Sequence, residues 1–139
     1  MLGWFMKTSS FYLYSGPGRI SIARAAPRRV AAGFKAYRAL APGAWLFDPQ
    51  YRNDYDAYRE RYFREILAPL NPQIVWGDLH RLADGHEPVL LCHEHLLKPG
   101  DWCHRRLAAE WLEDKLGIAV PEMAVERKSS NQLNLMEAI

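Results

Sequence analysis

The run PVLLC, from Pro88 to Cys92, constrains the fold more than any other part of the chain. It is apolar without interruption and has turn-forming residues on both sides, ADGHE before it and HEHLLKPGD after it. A strand with one wet face alternates polar and apolar residues, whereas a strand buried on both faces does not. Such a short continuous run fits the middle of a parallel sheet, and parallel strands need crossover connections, which are usually helices.

The rest of the sequence supplies those helices. Asn53 caps the segment DYDAYRERYFREILAPL, in which Tyr55, Tyr58, Tyr62 and Ile66, with Phe63 and Leu67, recur at three- and four-residue spacing. Its early acids Asp54 and Asp56 suit the positive end of a helix dipole. LNPQIVWGDLHRLADG repeats the pattern: Asn71 caps, Pro72 takes the first helical position, Gly85 lies past the end, and Ile74, Val75, Leu79 and Leu82 face inward. A third helix is expected from Trp102 to Leu116, capped by Asp101 and stopped by Gly117, with Leu107, Ala108, Trp111 and Leu112 inward. Strands are expected between Trp4 and Ser10 and over Ile20 to Ala23, separated by a turn at Gly16, Pro17 and Gly18, and IAVPEM offers a last short one. Residues 25–53 lack periodicity and read as an ordered loop with a turn of helix near Lys35 to Leu40. The expectation is an α/β fold: a small, mostly parallel sheet with helices packed on both faces, as a single domain over residues 1–126, followed by a polar tail over 127–139.

At 139 residues with 49% hydrophobic and 24% charged side chains, the chain can bury one real core and is unlike a disordered sequence. No apolar run approaches the roughly 20 residues that span a bilayer, and MLGWFMKTSSFYLY lacks the organisation of a signal peptide. A cytoplasmic location and no membrane partner are therefore expected. In that compartment Cys92 and Cys103 are expected as thiols, with a disulfide between them a minor reading. The sequence leaves the oligomeric state open.

The net charge of +2 conceals an asymmetry. Through residue 53 there are eight basic residues (Lys7, Arg19, Arg24, Arg28, Arg29, Lys35, Arg38 and Arg52) against the single acid Asp48, whereas the remainder carries ten basic and fifteen acidic residues. The first part is thus +7 and the rest −5. Clustered arginine and lysine favour phosphate-bearing ligands; the competing reading is that the two parts neutralise each other in the fold.

Chemistry-bearing residues concentrate in LLCHEHLLKPGDWCHRRLAAEWL, residues 90–112. In open α/β sheets ligands bind beyond the carboxyl ends of the strands, at the amino end of the following helix. Cys92, His93 and Glu94 leave the buried strand at that edge, and Asp101, Cys103, His104 and Arg105 open the next helix. Three readings compete there. Cys103, Glu94 and His104 form a catalytic set in which Cys103 is activated at a helix start. Helical neighbours diverge by about 100°, so the base for Cys103 is expected from His93 or His95 if His104 cannot reach it. Alternatively, Arg105, His104 and the helix N-terminus, helped by Arg24 and by Ser9 and Ser10 at the end of the first strand, bind a phosphate or carboxylate. Zinc on Cys92, His95, Cys103 and His104 has suitable donor types but none of the usual spacings, so no metal and no cofactor are assigned. Cys92 itself is expected as inert packing.

The segments TSSF, RISIARAAPR, YRALAP, YRERYFREILAPLNP, VLLCHE and GDWCHRRLAAEWLE together resemble the domain of unknown function 488 (DUF488) family over about residues 7–122. Most specific are the Cys-x-Glu at Cys92 and Glu94 and the Cys-His-Arg at Cys103, His104 and Arg105. Relatives often end the second strand in an Asp-x-Arg element; here SIAR keeps Arg24 without the acid. The resemblance implies an intracellular α/β domain with a polar cluster at the Cys-His-Arg segment, and it implies no particular reaction. The leading expectation is an enzyme acting on a small anionic ligand, phosphate-bearing or nucleotide-like. The alternative is a binding module for nucleic acid or protein, using the arginines of residues 19–38 with exposed Tyr37 and Trp45. A structural zinc domain is the third.

Overall fold

The computed structural model describes residues 5–94, 96 and 100–123; His95 and the tail over 127–139 fall outside them. The PVLLC run is the inner strand that its apolarity requires. Four parallel strands, β1 (Lys7–Ser10), β2 (Arg19–Ser21), β3 (Lys35–Ala36) and β4 (Val89–Cys92), form one sheet in the order β1-β4-β2-β3. In β4, Val89 to Cys92 pair with Lys7 to Ser10 on one side, and Val89 to Leu91 with Arg19 to Ser21 on the other. All four β4 residues are buried. Gly18 brings β2 into that register: its φ is +81°, and a Cβ there would sit 2.1 Å from the Glu87 carbonyl oxygen.

The helices are α1 (Pro49–Arg52), α2 (Tyr55–Arg61), α3 (Pro72–Ala83) and α4 (His104–Leu116). Asn71 caps α3, its side chain accepting from the Gln73 and Ile74 N–H groups, and Gly117 ends α4 in the left-handed conformation. α2 runs into a π-helical segment, Tyr62–Leu67, in place of the uninterrupted α-helix expected there. The aromatic stripe explains the change, because Tyr58 and Tyr62 are four apart but Leu67 follows after five. One wide turn keeps Tyr62 and Leu67, both fully buried, on the same face. The α3 stripe is also shifted from the expected one: Val75, Trp76, Leu79, His80 and Ala83 are buried, whereas Ile74 is exposed. IAVPEM contributes a single bridge, Thr8 to Glu122, instead of a strand.

Residues of α2, the π segment, α3 and α4 share one core with Ile20 and Leu90. Val89 and Leu91 alternate to the other face, where Phe11, Tyr14, Val30 and Phe34 cover them from loops. The sheet is therefore all parallel and the α/β architecture stands, but among the described residues loops cover the face on which further helices were expected. No described helix is long and apolar enough to cross a membrane.

Candidate functional site

The carboxyl ends of β2 and β4 open onto a cleft of about 650 Å³ whose wall includes Arg24, Arg52, Tyr58, His93, Glu94, Trp102, Cys103 and His104. Two local features bring these groups together. Cys92 ends a fully buried strand, so the chain turns out of the sheet at His93 and Glu94. Cys103, rather than Asp101, is the N-cap of α4, with extended backbone (φ −152°, ψ 150°). That extended conformation removes the helical divergence expected between Cys103 and His104, and Cys103 Sγ lies 3.8 Å from His104 Nδ1.

His104 is buried and its proton position follows from its partners. Nε2 lies 2.7 Å from the Ile22 carbonyl oxygen, which can only accept, so Nε2 carries the hydrogen and Nδ1 presents a lone pair toward Cys103. Burial, opposed by the Ile22 hydrogen bond and reinforced by the nearby Arg105 charge, holds the imidazole pKa down to about 4, so the ring is neutral at pH 7. Glu94 reaches back from the exposed side, with Oε1 3.1 Å from Cys103 Sγ and 3.9 Å from Cys92 Sγ. Cys103 is thus within contact distance of both Glu94 and His104. His93 lines the same cleft but hydrogen-bonds the Ala25 carbonyl.

The two cysteines were expected as thiols, with Cys92 inert. The structure instead joins Cys92 to Cys103 in a disulfide, because the extended Cys103 turns its side chain back over the end of β4. Cys92 is not isolated packing either, since Arg105 Nη1 donates to its sulfur at 3.1 Å. Cys92, Cys103 and His104 offer buried donor atoms that all lie within 4.8 Å of one another, a set that could hold a metal ion only with the two cysteines reduced.

Arg105, expected as an anion clamp, is fully buried and held by the protein. Its Nε and Nη2 pair with Glu122 at 3.0 and 2.8 Å, and Nη1 also donates to the Glu94 carbonyl at 2.7 Å. Ser9 and Ser10 are likewise fully buried and do not line the cleft; Ser9 Oγ has no hydrogen-bond partner among the described residues. Arg24 does reach the cleft wall, where it is exposed. The same cleft wall includes Arg52, which the sequence did not single out: it lies at the end of a four-residue helix and carries no motif. Glu122 was missed for a similar reason, as its partner Arg105 lies 17 residues away across the end of α4.

Within the basic first part of the chain, Lys7 pairs with Glu87 at 2.7 Å, and Arg19 donates to the carbonyls of Gly16, Ala31 and Ala32. Tyr37 donates to Asp78 and Trp45 to Glu65, and both rings pack against the main core, so neither forms an open stacking face.

The family model described as DUF488-N3a, the active DUF488-N3 subclade, matches residues 13–116. The chain belongs to the DUF488 family. The matched span includes the whole of the Cys-x-Glu and Cys-His-Arg segments of this DUF488 protein, and leaves Glu122 beyond its end. No curated protein and no solved structure matches the chain.

Proposed function

We propose that this DUF488 protein is an enzyme acting on a small phosphate-bearing, nucleotide-like anion bound in the cleft. Glu94, Cys103 and His104 supply the reacting groups, and Arg24 and Arg52 hold the anion. One observation carries the reading: these three groups and two exposed arginines line the same cleft. Neither arginine's side chain has a hydrogen-bond or ion-pair partner among the described residues, so their guanidinium donors are open to a phosphate's paired oxygens. A neutral imidazole with its lone pair toward a sulfur is arranged to take a thiol proton once the cysteines are reduced. Arg105 acts as a positioning residue, fixing the Glu94 backbone and the Cys92 sulfur. The description of the matching family as an active subclade favours an enzyme over a passive binding module.

Calorimetric titration of the reduced chain with inorganic pyrophosphate and a nucleoside triphosphate tests the proposal. Replacing Arg24 and Arg52 together by alanine lowers affinity at least about tenfold, the scale of losing charge-assisted contacts, whereas the pair Arg28→Ala and Arg38→Ala leaves it unchanged. Binding lost only in the second pair would move the site to the outer arginines and favour the nucleic-acid module. No binding by the wild type would remove the proposal.

A further inference from the structure

We propose that the reduced protein binds one zinc-class divalent ion through Cys92 Sγ, Cys103 Sγ and His104 Nδ1, with Glu94 as the fourth ligand on the cleft side. This goes beyond the anion-binding reading and needs neither Arg24 nor Arg52. The backbone spacing is the first ground. The Cα atoms of Cys92 and Cys103 are 7.4 Å apart, wider than the usual disulfide span of about 4.4–6.8 Å. A small-molecule or protein dithiol that exchanges with the disulfide delivers two electrons and two protons, becomes oxidised itself and leaves two thiols, whose sulfurs retreat to nonbonded separation. Zinc–sulfur bonds of about 2.3 Å in a tetrahedron place two sulfurs about 3.8 Å apart, so a metal fits between thiolates separated in this way.

The donor set is the second ground. Two sulfurs and an imidazole nitrogen, all from buried residues and within 4.8 Å of one another, match the soft and borderline ligands that zinc takes. Glu94 Oε1 lies 3.1 and 3.9 Å from the two sulfurs but outside the group of donors within 4.8 Å of one another, so it becomes the fourth ligand by turning its exposed side chain toward the ion. The third ground lies around the ligands. The Ile22 carbonyl fixes the far nitrogen of His104, which leaves Nδ1 as the donor, and Arg105 gives an N–H to Cys92 Sγ. Such outer contacts orient metal ligands and temper thiolate charge. Glu94 is exposed, so the side of the ion that it covers faces the cleft. The metal-bound and metal-free reduced forms are alternative states: in the first Cys103 and His104 would be ligands, and in the second they are the thiol and base of the cleft reading.

The test uses the full chain, reduced and stripped with a chelator, then titrated with Zn²⁺ against a chromophoric competitor and separately with Co²⁺. The expected result is one equivalent of metal and, with Co²⁺, a sulfur-to-cobalt charge-transfer band with tetrahedral d–d intensity. Cys92→Ser, Cys103→Ser and His104→Ala each weaken binding at least about tenfold, as loss of a ligand or its support does, whereas His86→Ala does not. Where a variant fails to fold, X-ray absorption on the zinc-loaded wild type decides, with two sulfur neighbours expected. Absence of binding with both thiols reactive, binding without a charge-transfer band, or a disulfide that resists reductant would each overturn the proposal. Arg24→Ala with Arg52→Ala changes anion affinity and leaves metal affinity intact, so failure of the metal site and failure of the cleft reading are told apart.

Discussion

The first turn of α4 separates two polar regions built on opposite terms. On the β1 side, Arg105 and Arg106 are tied in: Arg105 to Glu122, Arg106 to Thr8 Oγ1 at 2.9 Å and the Val120 carbonyl at 2.8 Å, and Thr8 in turn to Glu122 at 2.7 Å. On the cleft side, Cys103 meets both His104 and Glu94 while the guanidinium groups of Arg24 and Arg52 bond nothing among the described residues. Similar charged groups therefore serve two ends. A network that satisfies its own donors fixes the end of β4 and the start of α4, and that fixed frame lets the other side keep its groups open for a ligand.

The largest expected effect attacks the closed side. Arg105→Met strands Glu122 and frees the Glu94 carbonyl, so stability measured by urea unfolding should fall by about 3 kcal/mol, the lower end for removing one partner of a buried pair, since Glu122 is partly exposed. A loss under 1 kcal/mol would make that side a mere surface pairing. The cleft side responds to acid instead. His104 has a folded pKa of about 4 against an unfolded value near 6.5, so the unfolded chain binds the extra proton first. In chelator-treated protein this makes stability fall as pH drops from 6.5 to 4, by about 3 kcal/mol in all, with no contribution from this group above that window. Comparing wild type with His104→Gln across that range isolates the effect, and parallel pH curves would contradict the burial of a neutral ring. Arg24→Ala should change stability by no more than about 0.5 kcal/mol, as expected for an exposed side chain without partners, while weakening polyphosphate binding; a large destabilisation would place Arg24 in the frame. A comparably small effect concerns Ser9. Its hydroxyl is buried without a hydrogen bond among the described residues, so Ser9→Ala should be neutral or stabilising by less than about 1 kcal/mol, read from the thermal midpoint.

Local chemistry made much of this legible. PVLLC, the Asn71-Pro72 start of α3 and the Gly117 stop of α4 each act within a few residues, and the strands and helices they mark stand where expected. What did not show depends on contacts distant in sequence. The roles of Arg105 and Arg24 are set by Glu122 and by the cleft, and nothing in Cys-His-Arg distinguishes an arginine that turns toward a buried carboxylate from one that faces solvent. The cysteine pairing depended on a cap: with Asp101 as N-cap, Cys103 would have been helical and angled away from Cys92, whereas the extended Cys103 brings the sulfurs together. The π turn after Arg61 was readable in principle, since the step from Tyr62 to Leu67 is five residues, but a stripe read at three and four passes over it.

Amide chemical-shift mapping of the reduced chain during titration with a nucleoside triphosphate addresses the cleft most directly. The account predicts shifts concentrated at Arg24, Arg52, Glu94, Trp102 and His104, saturating together at a single affinity. Shifts confined to Arg28, Arg29 and Arg38, with the amides of Glu94 and His104 unmoved, would contradict it.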